Sequence, residues 1–330
     1  MIDFFVSVGG FIMAPLYFIT SLILSGFHNV FGEVFGDDSG ASWALSIIGL
    51  TLVIRAALIP LFVKQIKSSR NMQLLQPKVR ELQKKYGHDR ERLAQETMKL
   101  YKDTGTNPFA SCLPLLLQMP IFLALFRLID QAAKGNKRGV LTDDQVQSLS
   151  EATLFGARIS DTFLNASGDT ALEVRILAAI LVVAMTATTF LTQRQLMSKN
   201  MPADAMTGPY AQQQKMLLYV LPVVFAVGGI AFPIGVLLYW TTSNLWTMGQ
   251  QFYVIRNNPA PGTPAFQAKV DRDEAKARRK GGTVAVAEPE TVEEPPPAPA
   301  RQQPKKQSRE QRKKKKPGAP GGSSPSSPGA

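Results

Sequence analysis

The stretch that decides the fold is Trp43–Val63, WALSIIGLTLVIRAALIPLFV, an apolar run with a single charged side chain, Arg55. As a helix it would be about 31 Å long, close to the thickness of the hydrocarbon layer. Arg55 would lie roughly 12 Å from the nearer end of that helix. An arginine at the centre of a span costs about 2.5–3.5 kcal/mol on insertion scales, so it usually faces a protein interior or a wet cavity. The run therefore predicts a membrane helix beside a polar chamber. Two alternatives stay open, since Arg55 could lean toward the headgroups or pair structurally with another helix.

The composition indicates an apolar body joined to a basic tail. The chain of 330 residues has a net charge of +12, and 16 basic and 8 acidic residues lie from Tyr253 onward. A single cysteine excludes an intramolecular disulfide, and two histidines give little material for a catalytic triad. The sequence contains neither a phosphate-binding glycine loop nor a zinc-binding His/Cys pattern. It therefore predicts no enzymatic activity, no metal and no cofactor.

Apolar runs between polar segments predict five membrane spans. The predicted spans are residues 43–63, 107–130, 172–192, 216–232 and 233–252. Between the first two, residues 64–106 hold eleven basic and five acidic residues, which places this segment in the cytoplasm by the positive-inside rule. Apolar residues three and four apart predict a helical hairpin there, with Asp89 as the N-cap of its second helix.

The remaining segments follow from the same charge rule. Residues 1–42 are mostly apolar and predict either an interfacial helix on the outer face or a sixth span. Residues 131–171 are assigned outside and residues 193–215 inside. Residues 253–330 are rich in proline and charge and predict a disordered cytoplasmic tail. Its basic end fits an RNA-rich or headgroup partner, although a solubilising and topological role stays open.

Several polar side chains are predicted at membrane depth and suggest a hydrophilic groove. They are Thr51, Arg55, Gln118, Trp240, Thr242, Ser243 and Asn244. Each alone is a weak signal, because a hydroxyl often bonds its own helix and an amide often joins two helices. Two other classes of protein stay open: a transporter of an anionic solute and a passive anchor that tethers ribosomes. The lack of acids deep inside the spans counts against the transporter, and the polar set counts against the passive anchor.

Four ordered motifs resemble the YidC family of membrane protein insertases, from about Pro15 to Arg256. They are WALSII followed by Val53-Ile54-Arg55 and Pro60; Leu75-Gln76-Pro77-Lys78; Asn107-Pro108 leading to the specific CLPLLLQMPIF of Cys112–Phe122; and Phe232-Pro233-Ile234-Gly235 followed by Leu238-Tyr239-Trp240 and Ser243-Asn244-Leu245. Ala110-Ser111 depart from a glycine pair that is frequent in the family, which affects helix packing. The resemblance is to the short form, which lacks a large extracytoplasmic domain.

The resemblance implies an all-α integral membrane protein, with five core transmembrane helices around a hydrophilic groove. Arg55 would be the groove arginine, and Gln118 and Trp240 would line the groove. The chain would move nascent membrane proteins from the cytoplasm into the lipid bilayer of a bacterial cell membrane, alone or with the Sec translocon, and would act as a folding chaperone. Partners of the signal recognition particle pathway are also implied. The basic tail would contact the ribosome, and its most basic run is Arg312, Lys313, Lys314, Lys315 and Lys316.

Overall fold

The computed structural model describes residues 2–107, 113–200 and 209–280, and most of them are helical. The helices within these ranges are α1 (Ile2–Phe35), α2 (Gly40–Ala57), α3 (Ile59–Leu74), α4 (Gln76–Tyr86), α5 (Arg90–Asp103), α6 (Leu113–Ala133), α7 (Asp143–Glu151), α8 (Ala171–Asn200), α9 (Pro209–Gly229), α10 (Ile234–Asn257) and α11 (Pro264–Arg279). Two short strands, β1 (Thr153–Leu154) and β2 (Ala157–Arg158), pair antiparallel. The prediction of an all-α chain therefore misses one small ribbon.

The stretch predicted as one span, residues 43–63, is divided between two helices. α2 ends at Ala57, and α3 begins at Ile59 with Pro60 in its first turn. Proline is tolerated there because the N–H group that it lacks has no partner in the first turn of a helix. The amide of Leu58 still donates to the Ile54 carbonyl at 3.1 Å. The chain thus continues from α2 into α3 through a local break, which the apolar pattern alone does not reveal.

The basic segment 64–106 contains the second half of α3 and a hairpin of α4 and α5. α4 starts with Pro77 in its first turn. α5 has Asp89 as its N-cap, as predicted, and the Asp89 carboxylate accepts a hydrogen bond from the Arg92 amide at 3.0 Å. No residue of α5 is buried. The hairpin therefore packs mainly on itself and stands out from the helical bundle.

α10 is the central helix of the bundle. It packs against α8, α2 and α6, while α9 packs against α8. The largest hydrophobic core lies between α2, α6 and α10, and its fully buried members include Trp43, Ile47, Leu125, Ile129 and Val236. This core therefore packs together the three helices whose polar residues form the predicted groove.

Gly235 allows the start of α10 to approach this core closely. A Cβ atom at this position would lie 2.9 Å from side-chain atoms of Ile129 and Ile159, and 3.1 Å from Ile47. The amide of Gly235 donates to the Ile159 carbonyl at 3.0 Å, which ties α10 to the segment that follows β2. Any side chain at this position would therefore have to displace the methyl groups of these isoleucines.

The predicted outer loop 131–171 is ordered and packs on the bundle. α7 begins with a capping box, in which the Thr142 hydroxyl accepts from the Gln145 amide. The Trp43 indole N–H donates to the Ser148 hydroxyl at 2.9 Å, and that hydroxyl donates to the Asp37 carbonyl at 2.8 Å. These bonds join α7 to the N-terminal end of α2.

α1 packs along α2 and contacts the same loop over several turns. The Ser21 hydroxyl accepts from the Val140 amide at 2.9 Å. The Gln145 amide group donates to Ser25 at 2.8 Å and to Asn29 at 3.1 Å. One stretch of α1 therefore remains beside the loop that joins α6 to α8.

The prediction of a disordered tail from residue 253 is wrong for residues 253–279. α10 continues to Asn257, and α11 then packs on α8 and α10. α11 has its own N-cap, since the Thr263 hydroxyl accepts from the Phe266 amide at 3.3 Å. The composition of the whole tail hides this capped segment, because most of the proline and charge lies further on. Residues 281–330 lie outside the described residues.

Three helices in the described part of the chain are long and apolar enough to cross a membrane, judged by length and composition. They are Met13–Phe35, Gly40–Ala57 and Gly168–Asn200. Gly40–Ala57 and Gly168–Asn200 overlap predicted spans. Met13–Phe35 lies in residues 1–42, the segment for which a sixth span stayed open. α6 and α10 have 21 and 24 residues, which is also sufficient length for a span. The count of five core spans stays a prediction.

Candidate functional site

Arg55 lies in the last turn of α2 and is held against α10. Its side chain is buried, with the residue only 8% exposed. Its Nε atom donates to the Ser243 hydroxyl at 2.9 Å, and its Nη2 atom donates to the same oxygen. The guanidinium carbon also lies 5.7 Å from the centroid of the Phe62 ring. Arg55 is therefore oriented by a neutral hydroxyl and an aromatic face.

Among the residues that the structure describes, no carboxylate forms an ion pair with Arg55. A buried cation is normally paired, because an uncompensated charge costs free energy in an apolar interior. One hydroxyl oxygen supplies only a dipole in place of a full negative charge. Within the described structure, the positive charge of Arg55 is therefore not neutralised by an ion pair.

A second polar contact lies on the same face of α10. Tyr239 precedes Ser243 by one helical turn, and the Gln118 side-chain amide of α6 donates to the Tyr239 hydroxyl. Tyr239 is close enough to Arg55 for an electrostatic interaction. The Oε1 atom of Gln118 is buried and has no hydrogen-bond partner within the described structure. The three helices thus contribute a cation and an unused acceptor to one polar cluster.

Tyr239 is the functional candidate that sequence reasoning missed. It is 2% exposed and lies within the apolar core. The sequence spacing could have identified it, because Tyr239 and Ser243 are four residues apart on one helix and therefore share a face. The predicted groove set did not include it, although Tyr239 belongs to one of the motifs that carry the family resemblance.

Within the described structure, the hydrogen bonds of Thr51 and Asn244 go to groups outside the Arg55 cluster. The buried Thr51 hydroxyl donates to the Ile47 carbonyl of its own helix at 2.7 Å. The Asn244 amide group of α10 donates to the Thr189 hydroxyl of α8 at 2.9 Å and to the Met185 carbonyl at 3.3 Å. Both geometries correspond to the alternatives left open above, namely a hydroxyl bonded within its helix and an amide that joins two helices.

Trp240 lies in an aromatic cluster next to the polar one. Its ring centroid is 5.3 Å from that of Phe122 in α6, 5.0 Å from Phe225 in α9 and 5.8 Å from Phe232. Edge-on contacts of this kind stabilise packing. Trp240 therefore forms an apolar wall beside the Gln118–Tyr239 contact. The remaining predicted contact residues, Arg312 to Lys316, lie beyond the part of the chain that the structure describes.

Comparison with known proteins decides the family. The family model of the 60Kd inner membrane proteins matches residues 34–261, which include α2 to α10 and all seven polar residues of the predicted groove. This chain belongs to the YidC membrane protein insertase family. A membrane protein insertase YidC of Streptomyces avermitilis is 49% identical to it over 82% of this chain and 63% of that protein. A membrane protein insertase YidC of Tropheryma whipplei is 37% identical over 79% of this chain and 89% of that protein.

A YidC insertase of Bifidobacterium longum is 33% identical, over 84% of this chain and 86% of that protein. A solved structure of an active YidC insertase, with its first transmembrane domain resolved, aligns with 71% of this YidC chain and 46% of that chain. The sequence identity is 26% and the TM-score is 0.43. The family and the apolar helices together make this chain a multi-pass protein of the bacterial inner membrane.

Proposed function

We infer that this chain is a membrane protein insertase and folding chaperone, which moves nascent membrane proteins from the cytoplasm into the lipid bilayer without nucleotide chemistry. The observation that carries this inference is the buried Arg55, which Ser243 orients while no described carboxylate neutralises it. The named relatives support the same activity.

The proposed groove lies between α2, α6 and α10. Arg55 and Ser243 form its charged end, and Gln118 with Tyr239 forms a polar wall. A short acidic tail of a nascent chain would be attracted to Arg55, because an ion pair is stronger in a medium of low dielectric than in water. The free Gln118 Oε1 atom can accept a hydrogen bond from a backbone N–H group of that tail. Trp240 and its aromatic neighbours would face the apolar segment that follows.

Release into lipid is driven by burial of that apolar segment. About 25 cal/mol is gained per Å² of apolar surface removed from water. The groove therefore only needs to lower the free-energy barrier to moving the polar tail of the nascent chain through the membrane.

The proposed topology places the α4–α5 hairpin and the C-terminal tail in the cytoplasm, where the excess of basic residues favours them. α1 would lie on the outer surface. Its contacts from Ser21 to Asn29 with the segment that joins α6 to α8 support that position, since several turns of α1 lie beside this predicted outer loop.

The proposed partners follow from this topology. The hairpin would receive nascent chains, and the basic run Arg312–Lys316 would bind ribosomal RNA through its phosphates. Cooperation with the Sec translocon and delivery by the signal recognition particle pathway are proposed from the family alone.

An insertion assay with the purified full chain tests the proposed function. Liposomes with this protein, and liposomes without protein, receive a single-span substrate with an acidic tail during its translation. Protease protection of the tail is then measured. We expect protection to depend on this protein in the absence of other translocase components. Equal protection in protein-free liposomes would contradict an autonomous insertase and would favour a passive ribosome tether.

A further inference from the structure

A cavity of about 300 Å³ lies where the C-terminal ends of α8 and α10 meet the first turns of α11. This volume is at the lower end of the range for small-molecule sites, roughly 300–1,000 Å³. Three cations line it, Lys199 from α8, Arg256 from α10 and Arg272 from α11. Phe252 and Ala268 contribute to an apolar side. The cavity thus combines a concentrated positive charge with an apolar wall.

The charge of this cavity is not neutralised by the acids nearby. Its lining contains no Asp or Glu, and in the described structure none of its three cations forms an ion pair. Two of the three acids of α11 have other partners, since Asp271 accepts from Gln267 and Glu274 pairs with Arg278. The third, Asp273, is exposed and does not line the cavity. The cavity is therefore suited to an anion.

A backbone contact holds the cations together. The Arg272 guanidinium donates to the Arg256 carbonyl at 2.6 Å, which fixes α11 to the end of α10. The Ala260 amide donates to the Asn200 side chain at 2.9 Å and fixes the connecting segment to α8. The three basic side chains thus come from elements whose relative position is set by hydrogen bonds.

The depth of the cavity matches the headgroup layer of a bilayer. Arg256 follows Ser243, the partner of Arg55, by about 20 Å along the axis of α10. With Arg55 and Ser243 at the depth predicted from the sequence, roughly 12 Å from the nearer edge of the hydrocarbon layer, Arg256 would lie beyond that edge. Phe252 and Tyr253 are 53% and 65% exposed, and exposed aromatic rings are typical of the membrane interface.

We propose that this cavity binds the headgroup of an anionic phospholipid. Lys199, Arg256 and Arg272 would hold the phosphate with charge-assisted hydrogen bonds, and an acyl chain would lie along Phe252. The aliphatic members of the lining favour a lipid over RNA, because they pack against an acyl chain but offer no ring on which a base could stack. A lipid bound in this way bridges α8, α10 and α11 and holds α11 at the membrane surface. By the proposed topology this is the cytoplasmic leaflet.

Lipid binding by the purified full chain tests this site. The protein is delipidated in detergent and titrated with phosphatidylglycerol or phosphatidylcholine of the same acyl chains, and bound lipid is counted by native mass spectrometry. We expect phosphatidylglycerol to bind at least tenfold more tightly. The variant K199Q/R256Q/R272Q should lose at least tenfold of that affinity. The matched control K276Q/R279Q/K280Q removes the same charge from the exposed end of α11 and should stay within twofold of the wild type.

A second variant tests whether the space inside the cavity is needed in addition to its positive charge. Ala268→Trp fills the cavity and keeps all three cations, so it should also weaken phosphatidylglycerol binding at least tenfold. Equal binding of the two lipids by the wild type, or an equal loss in the matched control, would overturn the proposal. Displacement of the lipid by inorganic phosphate or by a short RNA at similar concentration would overturn it too, in favour of a soluble anion or RNA. The assay measures binding, so its outcome is independent of insertase activity.

Discussion

At the scale of single residues, the site depends on how polar atoms are paired inside an apolar core. Arg55 is oriented by Ser243, and Gln118 is oriented by Tyr239. The two contacts share one face of α10, so in the proposed groove both would lie along the path of a substrate tail. Tyr239 is therefore a positioning residue for the polar wall.

Replacement of this tyrosine by phenylalanine tests its role. Tyr239→Phe removes the hydroxyl that accepts from Gln118 and leaves a buried amide without that partner. We expect a loss of about 1–3 kcal/mol in the free energy of unfolding. Tyr253→Phe is the matched control, because Tyr253 lies on the same helix and is 65% exposed. Thermal unfolding in detergent micelles measures both variants, and equal melting temperatures would refute the role of Tyr239.

At the scale of helices, the architecture depends on close contact between α10 and the α2–α6 pair. Gly235 makes this contact possible beside Ile129, Ile159 and Ile47. Gly249 lies on the same helix and has open space around its Cα atom, with nothing within 4 Å of a Cβ built there. There is therefore little room for a side chain at Gly235 and ample room for one at Gly249.

Substitution of each glycine by alanine tests this difference in available space. Gly235→Ala adds a methyl group that presses on the isoleucine side chains of the core, and it should destabilise the protein by about 1–3 kcal/mol. Gly249→Ala should be neutral or stabilise by about 0.5–1 kcal/mol, because glycine is a poor helix former. Thermal unfolding of both variants under the same conditions provides the comparison. A Gly235→Ala variant as stable as Gly249→Ala would mean that the core accommodates the methyl group.

Sequence reasoning predicted some helices better than others, for physical reasons. Asp89 caps α5 as predicted, since a capping side chain acts on the amides that follow it. The break at Leu58 and the ordered α11 were missed, because hydrophobicity and average composition do not register a local proline or a capped turn. The pairing of Arg55 with Ser243 was also beyond prediction, because these residues are far apart in the chain and only packing brings them together.

At the scale of the whole molecule, the proposed mechanism couples one buried charge to the movement of a polypeptide into the membrane. In this proposal, selectivity comes from the attraction between Arg55 and the translocated tail. A difference of 1–2 kcal/mol in this attraction corresponds to a factor of about 5–30 in insertion. Such a factor is large enough to measure with substrates that differ only in tail charge.

The most direct measurement compares insertion of acidic, neutral and basic tails by wild-type protein, Arg55→Ala and Arg55→Glu in liposomes. We expect Arg55→Ala to lose about 5–30-fold for acidic tails and little for neutral ones. Arg55→Glu should favour basic tails instead. Arg127→Ala removes an exposed positive charge from α6 and should behave as the wild type. If Arg55→Ala inserts acidic and neutral tails in the same ratio as the wild type, the electrostatic mechanism is contradicted.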